Sequence, residues 1–301
     1  MQASNQGSSG IPFMGTGSVS QIVSGIAIVM VLYLVLSTME YFYNSITGLW
    51  KDRIELFPDT YPSGSRMYTA IQNPTNPIAK TINISENQRS GIEFSYAMFI
   101  YLNSSTFNTG DPTTRKLYHI LHKGYSKPYP LLGPGIFAWG DTNKIRVYMN
   151  AFDTWDNYTD VENIPMDKWF HLVVSCKGNT LYIYINGNLK NKVTLSNNTP
   201  PYQNYGDVYA FSSRTLTLTS GNVRSLDNDP DFNGTLHSDT TLNFAGSATG
   251  MISRVFYFSY ALTYTEIQSL MNMGPSTVMA GPDMTISPYL SDTWWTNNEG
   301  P

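Results

Sequence analysis

The chain has 301 residues, of which 13% are charged and 14% aromatic, and its formal net charge at pH 7 is −4. A nucleic-acid-binding protein would show a basic stripe, so we predict no nucleic acid among the partners. The single cysteine, Cys176, cannot close an internal disulfide, which argues against a disulfide-stapled extracellular domain. Abundant Tyr, Gly and Pro favour β-strands joined by tight turns.

The N-terminal part of the chain predicts a flexible segment followed by a membrane span. Residues 1–18 are rich in Gly, Ser and Gln, which is typical of a flexible N-terminus. Residues 19–39 carry no charge, and a helix from Ile22 to Met39 would cover roughly 27 Å, close to the ~30 Å hydrocarbon core of a bilayer. We therefore predict a transmembrane helix at 19–39. Aromatic residues, which favour the lipid–water boundary, follow directly: Tyr41, Phe42, Tyr43 and Trp50.

Two alternatives to a membrane span stay open, a cleaved signal peptide and a buried helix of a soluble domain. A signal peptide needs a basic region before its apolar core and a small-residue cleavage site after it, and neither is present. The basic residues Lys51, Arg53 and Arg66 follow the span, and basic flanks tend to remain cytosolic. We therefore expect the C-terminal part to face the cytosol and its Asn-x-Ser/Thr sequons to stay bare. These sequons begin at Asn83, Asn103, Asn157, Asn197 and Asn233.

Residues 40–77 are predicted to form a juxtamembrane connector, because four prolines prevent a long helix there. From residue 78 onward, period-two hydrophobic patterns predict strands at 91–102, 144–152, 169–176, 180–185 and 251–258.

Turn and capping signals complete this domain. Asn186-Gly187 is typical of a type I′ hairpin turn. A helix is predicted at 263–273, with Thr263 or Thr265 as its N-cap and Glu266 in its first turn. An antiparallel β-sandwich is the expected closure of these elements.

Three segments resemble a known family. Residues 164–174 (IPMDKWFHLVV) and 179–187 (NTLYIYING) resemble the core motifs of the laminin-G/concanavalin A-like jelly roll, and residues 250–267 resemble its closing motif. The resemblance covers residues 78–275. It implies an all-β, concanavalin A-like (laminin-G-like) antiparallel sandwich behind one N-terminal transmembrane helix.

A narrower resemblance involves residues 85–96, 201–209 and 288–295. These segments are similar to jelly-roll proteins encoded by large eukaryotic DNA viruses of the phycodnavirus and mimivirus kind. That similarity implies a membrane-anchored virion protein.

The motif residues have structural roles in this interpretation. Trp169, at a strand start, is expected to bury its ring against the opposite sheet, and Asn186-Gly187 to turn a hairpin. His171 is accompanied by no nucleophile or orienting acid at a recognisable spacing, so we expect a core or edge histidine.

Concanavalin A-like folds also include glycoside hydrolases, whose retaining members hold two carboxylates about 5 Å apart. The Glu-x-Asp-x-x-Glu pattern of those enzymes is absent here. The nearest pair, Asp160 and Glu162, shares one strand face and is expected to be a solvated edge. We therefore predict that the protein is not an enzyme and has no catalytic or cofactor-binding residues.

Residues 227–231 (DNDPD) form an oxygen-rich loop with the right chemistry for calcium, the ion that laminin-G-like folds often bind. The loop lacks the Gly and the closing Glu of an EF-hand, and Asx turns explain it equally well. No metal ligand is assigned, and calcium stays an open alternative.

Residues 276–301 are predicted to be an extended aromatic tail, too apolar at Trp294 and Trp295 to remain in water. The tail can fold back along the sandwich or insert into a neighbouring subunit.

Three functional classes remain. The first is a non-enzymatic minor capsid or membrane-associated virion protein that links the capsid shell to the internal membrane, with lipid and other capsid proteins as partners. It would reside in host endomembranes during assembly. The second is a glycan-binding attachment module on the virion surface, and the third is a glycoside hydrolase.

Overall fold

The computed structural model describes residues 17–48, 53–64, 66–85, 92–108, 116–153, 157–195, 198–218 and 242–280. The chain divides into two compact units, residues 1–52 and 53–301. In the first unit, helix α1 (Ser18–Gly48) contains 31 residues and is about 46 Å long. Its segment Gln21–Glu40 has a mean hydropathy of 2.4, and none of that segment is buried.

The second unit consists of strands with one α-helix near its C-terminus. The strands are β1 (Arg53–Pro62), β2 (Tyr68–Ala70), β3 (Glu93–Leu102), β4 (Lys116–Gly124), β5 (Gly135–Trp139), β6 (Lys144–Tyr148), β7 (Tyr158–Glu162), β8 (Trp169–Lys177), β9 (Thr180–Ile185), β10 (Asn188–Thr194), β11 (Asp207–Ala210), β12 (Thr215–Leu218), β13 (Leu242–Ser247) and β14 (Gly250–Phe258). A short 3₁₀ helix spans Ser104–Asn108, and α2 spans Tyr264–Asn272.

Two sheets form the sandwich. Sheet A has the strand order β1-β14-β3-β8-β9-β10, and all its pairs are antiparallel. Sheet B has the order β12-β13-β4-β5-β6-β7, and β11 also pairs with β4 and β2. Its β13–β4 pair is parallel, whereas its other pairs are antiparallel. The predicted β-sandwich and N-terminal apolar helix are confirmed.

The connector predicted over residues 40–77 is wrong for much of that range. The helix α1 continues to Gly48, and β1 and β2 both lie within the range. Pro58 is tolerated in β1 because the pairing with β14 is irregular between Phe57 and Thr60, so no ladder hydrogen bond needs its missing N–H.

The local turn and capping signals are confirmed. Asn186 and Gly187 have φ values of 48° and 74°, as a type I′ turn requires. The structure selects Thr263 over Thr265 as the N-cap of α2, because Thr263 and Glu266 form a reciprocal capping box.

The face assignment of Trp169 is wrong. Phe170, Leu172 and Val174 belong to the core between the sheets, so the alternate residues of β8 lie on the outer face of sheet A. Trp169 is half-buried there, and its ring centroid lies 5.8 Å from that of Tyr101. A one-residue offset in a strand reverses the face, and the Trp-Phe pair gives no local signal for the choice.

The beginning of the tail lies along β1. Thr60 donates its N–H to the carbonyl of Val278 (2.8 Å), and Ala280 donates to the carbonyl of Thr60 (2.8 Å). Residues 276–280 therefore lie against the sandwich. Trp294 and Trp295 are outside the described residues.

Candidate functional site: a tyrosine-rimmed groove

A groove of about 1090 Å³ lies where β2 and β11 meet the C-terminal end of β4. We call it the tyrosine groove. It is lined by residues 72–74, 81–85, 123–126 and 205–207, with Tyr209 and Ser259. Its size is slightly above the range for small-ligand sites, roughly 300–1,000 Å³.

Lys123 forms part of the groove wall and is almost fully buried. Its Nζ donates to the carbonyls of Asn204 (2.6 Å) and Gly206 (2.8 Å). Burial lowers the Lys123 pKa to about 8, and the nearby Asp207 opposes the shift. The loop at 204–206 lies so close to β4 that a Cβ at Gly206 would be 2.2 Å from the carbonyl oxygen of Gly124. The lysine and the glycine together fix this wall.

A second part of the lining is fixed by Gln72 and Asp207. The backbone N–H of Gln72 donates to Asp207 Oδ1 (2.7 Å), and Gln72 Nε2 donates to the carbonyl of Lys80 (3.0 Å). The backbone N–H of Ile82 donates to Gln72 Oε1 (2.8 Å). This part of the lining is thus built by hydrogen bonds that tie the loop at 72–82 to β11.

Two tyrosines at the rim remain open to solvent. Tyr205 is 82% exposed and Tyr125 is 63% exposed. Asn83 is also exposed on the groove wall. Phenol rings with amide and hydroxyl groups between them can stack on and hydrogen-bond to a polar ligand with apolar faces.

A pair of buried histidines on β4 supports the rim. The backbone N–H of Ser212 donates to His119 Nδ1 (2.8 Å), and His119 Nε2 lies 2.6 Å from His122 Nδ1. His122 Nε2 lies 2.7 Å from the carbonyl oxygen of Tyr125 and the His122 ring stacks on Tyr209.

Both histidines are neutral at pH 7. Burial and the neighbouring His122 hold the pKa of His119 well below its usual value. Burial also lowers the pKa of His122 to about 4, against the opposing effect of its hydrogen bond to Tyr125. We refer to the series of hydrogen bonds that runs from Ser212 through His119 and His122 to Tyr125 as the histidine relay.

Asp160 and Glu162 lie outside this groove, on one face of β7. Asp160 forms a bidentate ion pair with Arg146 (Nε–Oδ1 2.7 Å, Nη2–Oδ2 2.8 Å) and accepts from Trp139 Nε1 (3.2 Å). Burial alone would raise the pKa of Asp160, but the hydrogen bonds and charge of Arg146 outweigh it, and the pKa is lowered. The expectation of a solvated acidic edge is therefore wrong for Asp160, whereas Glu162 is exposed.

The Arg146 guanidinium is enclosed by aromatic rings. Its Cζ lies 3.7 Å from the ring centroid of Tyr158 and 4.6 Å from that of Trp139. The ion pair and the rings together bury a charge on the outer face of sheet B, which is a structural use of Asp160.

His171 also lies outside the groove. It is buried on β8, 4.8 Å from Phe99 between ring centroids, and its Nδ1 has no hydrogen-bond partner among the described residues. Burial lowers its pKa to about 4. His171 is therefore buried on the outer face of an inner strand of sheet A, neither in the core between the sheets nor at an edge as expected, and no nucleophile among the described residues is hydrogen-bonded to it.

The oxygen-rich loop at 227–231 lies outside the described residues. Within the ranges that the structure describes, no group of three or more His, Cys, Asp or Glu side chains is placed to hold a metal ion. Of the described sequons, Asn83 is exposed, Asn103 is half-buried and Asn157 is buried.

The sequence did not predict the tyrosine groove. Its walls come from four separate segments, and Tyr125 lies in a stretch without a period-two pattern. The nearest local signal is the sequence of residues 201–209 (PYQNYGDVY), which carries a resemblance to viral jelly-roll proteins but no binding-site motif.

A family model for the concanavalin A-like lectin/glucanases superfamily matches residues 79–268. The chain belongs to this superfamily. No curated protein sequence matches it significantly.

Solved structures of similar fold include two botulinum neurotoxin structures and a sialidase. The receptor-binding domain of botulinum neurotoxin D is 12% identical with a TM-score of 0.42, over 71% of this chain and 43% of that one. A structure of botulinum neurotoxin type C, described as entering cells through two ganglioside molecules, is 14% identical with a TM-score of 0.42, over 76% and 52%. The Trypanosoma rangeli sialidase is 12% identical with a TM-score of 0.35, over 62% and 24%. The chain thus spans about half or less of the length of each.

Proposed function

We propose that the protein is anchored in a membrane by α1 and acts by contact, without catalysis. The observation that carries the anchor is the segment Gln21–Glu40, which has a mean hydropathy of 2.4 and is unburied throughout. A helix that is apolar on all sides needs a protein core or lipid around it, and this segment has no protein core. A bilayer satisfies that requirement.

Alkaline carbonate extraction tests the anchor. The full-length protein should stay in the membrane pellet, and release into the supernatant would contradict the proposal. A variant with Val31→Lys and Leu34→Lys is the matched control, because each central lysine disfavours membrane insertion by about 3 kcal/mol. It should be extracted.

The proposal of action without catalysis rests on how the candidate acids and bases are used. Asp160 is committed to Arg146, and His171 is buried without a nucleophile. Glu162 is exposed, and its neighbour on the same face is the paired Asp160. If the purified full-length protein degraded a polysaccharide and Glu162→Gln abolished that activity, the proposal of action without catalysis would be overturned.

We further propose that the protein is a structural component of a virion, a minor capsid or membrane-associated protein between the internal membrane and the capsid shell. The resemblance of residues 85–96, 201–209 and 288–295 to viral jelly-roll proteins supports this role. The basic residues after α1 support a cytosolic domain in host endomembranes during assembly. Other capsid proteins and lipid are then its partners.

The structure sharpens the topology test. Asn83 is the informative sequon, since it is exposed whereas Asn157 is buried. A cytosolic domain should carry no endoglycosidase-sensitive sugar. If the protein showed a gel-mobility shift from attached sugar and Asn83→Gln removed it, the domain would face the lumen instead of the cytosol. That result would favour the surface-attachment role. In purified particles, protease should reach the domain only after the outer shell has been removed.

Carbohydrate binding is the second candidate function, and the tyrosine groove is the observation that favours it. Tyr125 and Tyr205 present two exposed rings beside the exposed amide of Asn83. Sugars have apolar ring faces and many hydroxyls, which suits stacking combined with amide hydrogen bonds.

An array of neutral and sialylated oligosaccharides, probed with the detergent-solubilised full-length protein, tests this candidate. Tyr125→Ala and Tyr205→Ala should each weaken binding by about fivefold or more, since truncation of an aromatic anchor often costs about 1 kcal/mol or more. Tyr264→Ala is the matched control, because Tyr264 is equally exposed but lies on α2. A blank array, or equal effects of all three changes, would contradict carbohydrate binding in the groove.

A further inference from the structure

We propose that acid opens the tyrosine groove, because a second proton on either histidine disrupts the series of hydrogen bonds that links Ser212 to the backbone of Tyr125 at the rim. This inference concerns regulation and rests on the proposed role of the groove as a binding site. The relay itself is a property of the fold that can be tested without any ligand.

The two ends of the relay fix the proton positions within it. The backbone amide of Ser212 can only donate, so His119 Nδ1 must be an acceptor. A neutral imidazole carries one proton, and that of His119 is therefore on Nε2, facing His122 Nδ1 at 2.6 Å. At the other end the carbonyl of Tyr125 can only accept, so His122 carries its proton on Nε2. All four ring nitrogens are satisfied in this single arrangement.

An added proton has no acceptor in this arrangement. On His122 Nδ1 it would face the N–H of His119 across 2.6 Å, and on His119 Nδ1 it would face the amide of Ser212 across 2.8 Å. Either position places two donors against each other and adds a charge to a buried site. Relief of this clash requires a ring to rotate toward water. If His122 rotates, its bond to Tyr125 is lost; if His119 rotates, His122 Nδ1 loses the donor that fixes its ring.

Among the described residues, no carboxylate is hydrogen-bonded or ion-paired to either histidine. On β4 itself, the Lys123 ammonium is positive and bonded to two carbonyls. On β11, Tyr209 stacks on His122, and the carboxylate of Asp207 accepts from the Tyr209 hydroxyl (3.4 Å). Arg214, beyond β11, acts on Tyr209 and is also positive.

The remaining elements packed on the pair contribute uncharged groups. On β5, Phe137 has its ring centroid 5.4 Å from that of His119. On β13, Ser247 lies opposite His119 in the ladder. The shifts of both histidines are therefore governed by burial, with no carboxylate among their causes.

The consequence for the groove is direct, since three lining residues depend on His122. Tyr125 is bonded to it, Lys123 follows it in β4, and Tyr209 stacks on it. Loss of the relay therefore disturbs the rim and one wall together. A ligand held at neutral pH would be released in acid.

The proton positions can be measured by NMR of the full-length protein in detergent with isotope-labelled histidine. The chain has four histidines, so the ring signals can be assigned by single His→Gln changes. At neutral pH, His119 and His122 should both carry the proton on Nε2. A proton on Nδ1 of either ring would overturn the proposal.

Hydrogen exchange followed by mass spectrometry measures the opening. Between neutral pH and about pH 4, exchange in residues 121–134, corrected for its intrinsic pH dependence, should accelerate about tenfold or more. Exchange in β14, an inner strand of sheet A, is the control for opening of the whole domain. It should change much less than exchange in residues 121–134. Unchanged exchange in 121–134 at a pH where His122 is charged would overturn the proposal.

His122→Gln is the informative variant, because the glutamine amide can both accept from His119 and donate to Tyr125 but does not titrate. It should abolish the acid response, whereas His171→Gln should keep it. If His122→Gln does not fold, the NMR proton positions and the hydrogen exchange of the natural protein still test the proposal. A confirmed relay together with a blank oligosaccharide array would refute the binding role of the groove and leave the acid response standing.

Discussion

Sheet A and sheet B bury their outer faces in different ways. On sheet A, α2 packs Ile267 and Leu270 onto Val173, Phe256 and neighbouring apolar side chains. On sheet B, aromatic rings surround buried polar groups, namely the histidine relay and the Arg146–Asp160 ion pair. Apolar packing is non-directional and insensitive to protonation. A buried polar network requires every donor to meet an acceptor, so it specifies one geometry and depends on pH.

The two covers also differ in role: that of sheet A only closes a hydrophobic core, whereas that of sheet B leads to the candidate site. The apolar cover of sheet A closes a hydrophobic core, and its parts can be exchanged for others of similar volume. The polar cover of sheet B leads through His122 to the rim of the tyrosine groove. We therefore expect substitutions at the α2 contact of sheet A and in the polar cover of sheet B to differ in size and in pH dependence. His171, buried elsewhere on the outer face of sheet A, lies outside this comparison.

The largest expected effect is on the polar face. Asp160→Asn should lower the free energy of unfolding by about 3 to 5 kcal/mol, because it leaves the buried Arg146 charge without its partner. Glu162→Gln, two residues along the same face of β7, should change it by about 0.5 kcal/mol at most. Urea unfolding of the detergent-solubilised protein measures both. Equal small effects would show that the ion pair is not buried in solution.

On the apolar face, Ile267→Ala should lower the free energy of unfolding by about 3 kcal/mol, because a fully buried side chain leaves a cavity between α2 and sheet A. The loss should be the same at neutral and mildly acidic pH. Tyr264→Ala, on the exposed side of the same helix, is the control. A loss that varied with pH would contradict the contrast between the two faces.

Acid should destabilise the folded domain, with the sign set by the buried histidines. Burial lowers the pKa of His122 and of His171 to about 4, below the ordinary value of 6.5. Between about pH 6.5 and pH 4 the unfolded chain binds protons that the folded chain does not, so stability falls as pH falls. Each histidine contributes about 1.4 kcal/mol per pH unit in this window.

Thermal unfolding across this window measures the slope. His122→Gln and His171→Gln should each reduce it, and only His122→Gln should also alter the acid response of the groove. A slope that neither variant changes would assign the acid sensitivity to other groups.

The smallest expected effect is at the N-cap of α2. Thr263→Ala should cost about 1 kcal/mol, because it removes the side-chain acceptor for the N–H of Glu266. Thr265→Ala is the matched control and should cost less. Chemical unfolding distinguishes them, and the reverse order would identify Thr265 as the cap.

Much of the fold could be predicted from the sequence because its signals are local. The period-two patterns of β3, β8, β9 and β14 mark the centre of sheet A, and the capping residues mark α2. The edge strand β1 could not be predicted, since Pro58 and Pro62 resemble breakers until the irregular pairing with β14 is known. The candidate site was missed because its lining residues are distant in the chain.

The sequence by itself determined the features that depend on neighbours along the chain: the apolar helix, the Asn186-Gly187 turn and the alternation of the central strands. The tertiary structure alone decided the features that need partners from far away. His119 meets Ser212 across 93 positions, and Asp160 meets Arg146 through the β6–β7 pairing. Hydrogen bonds and ion pairs depend on distances of a few ångströms between atoms, and a linear pattern contains no such distances.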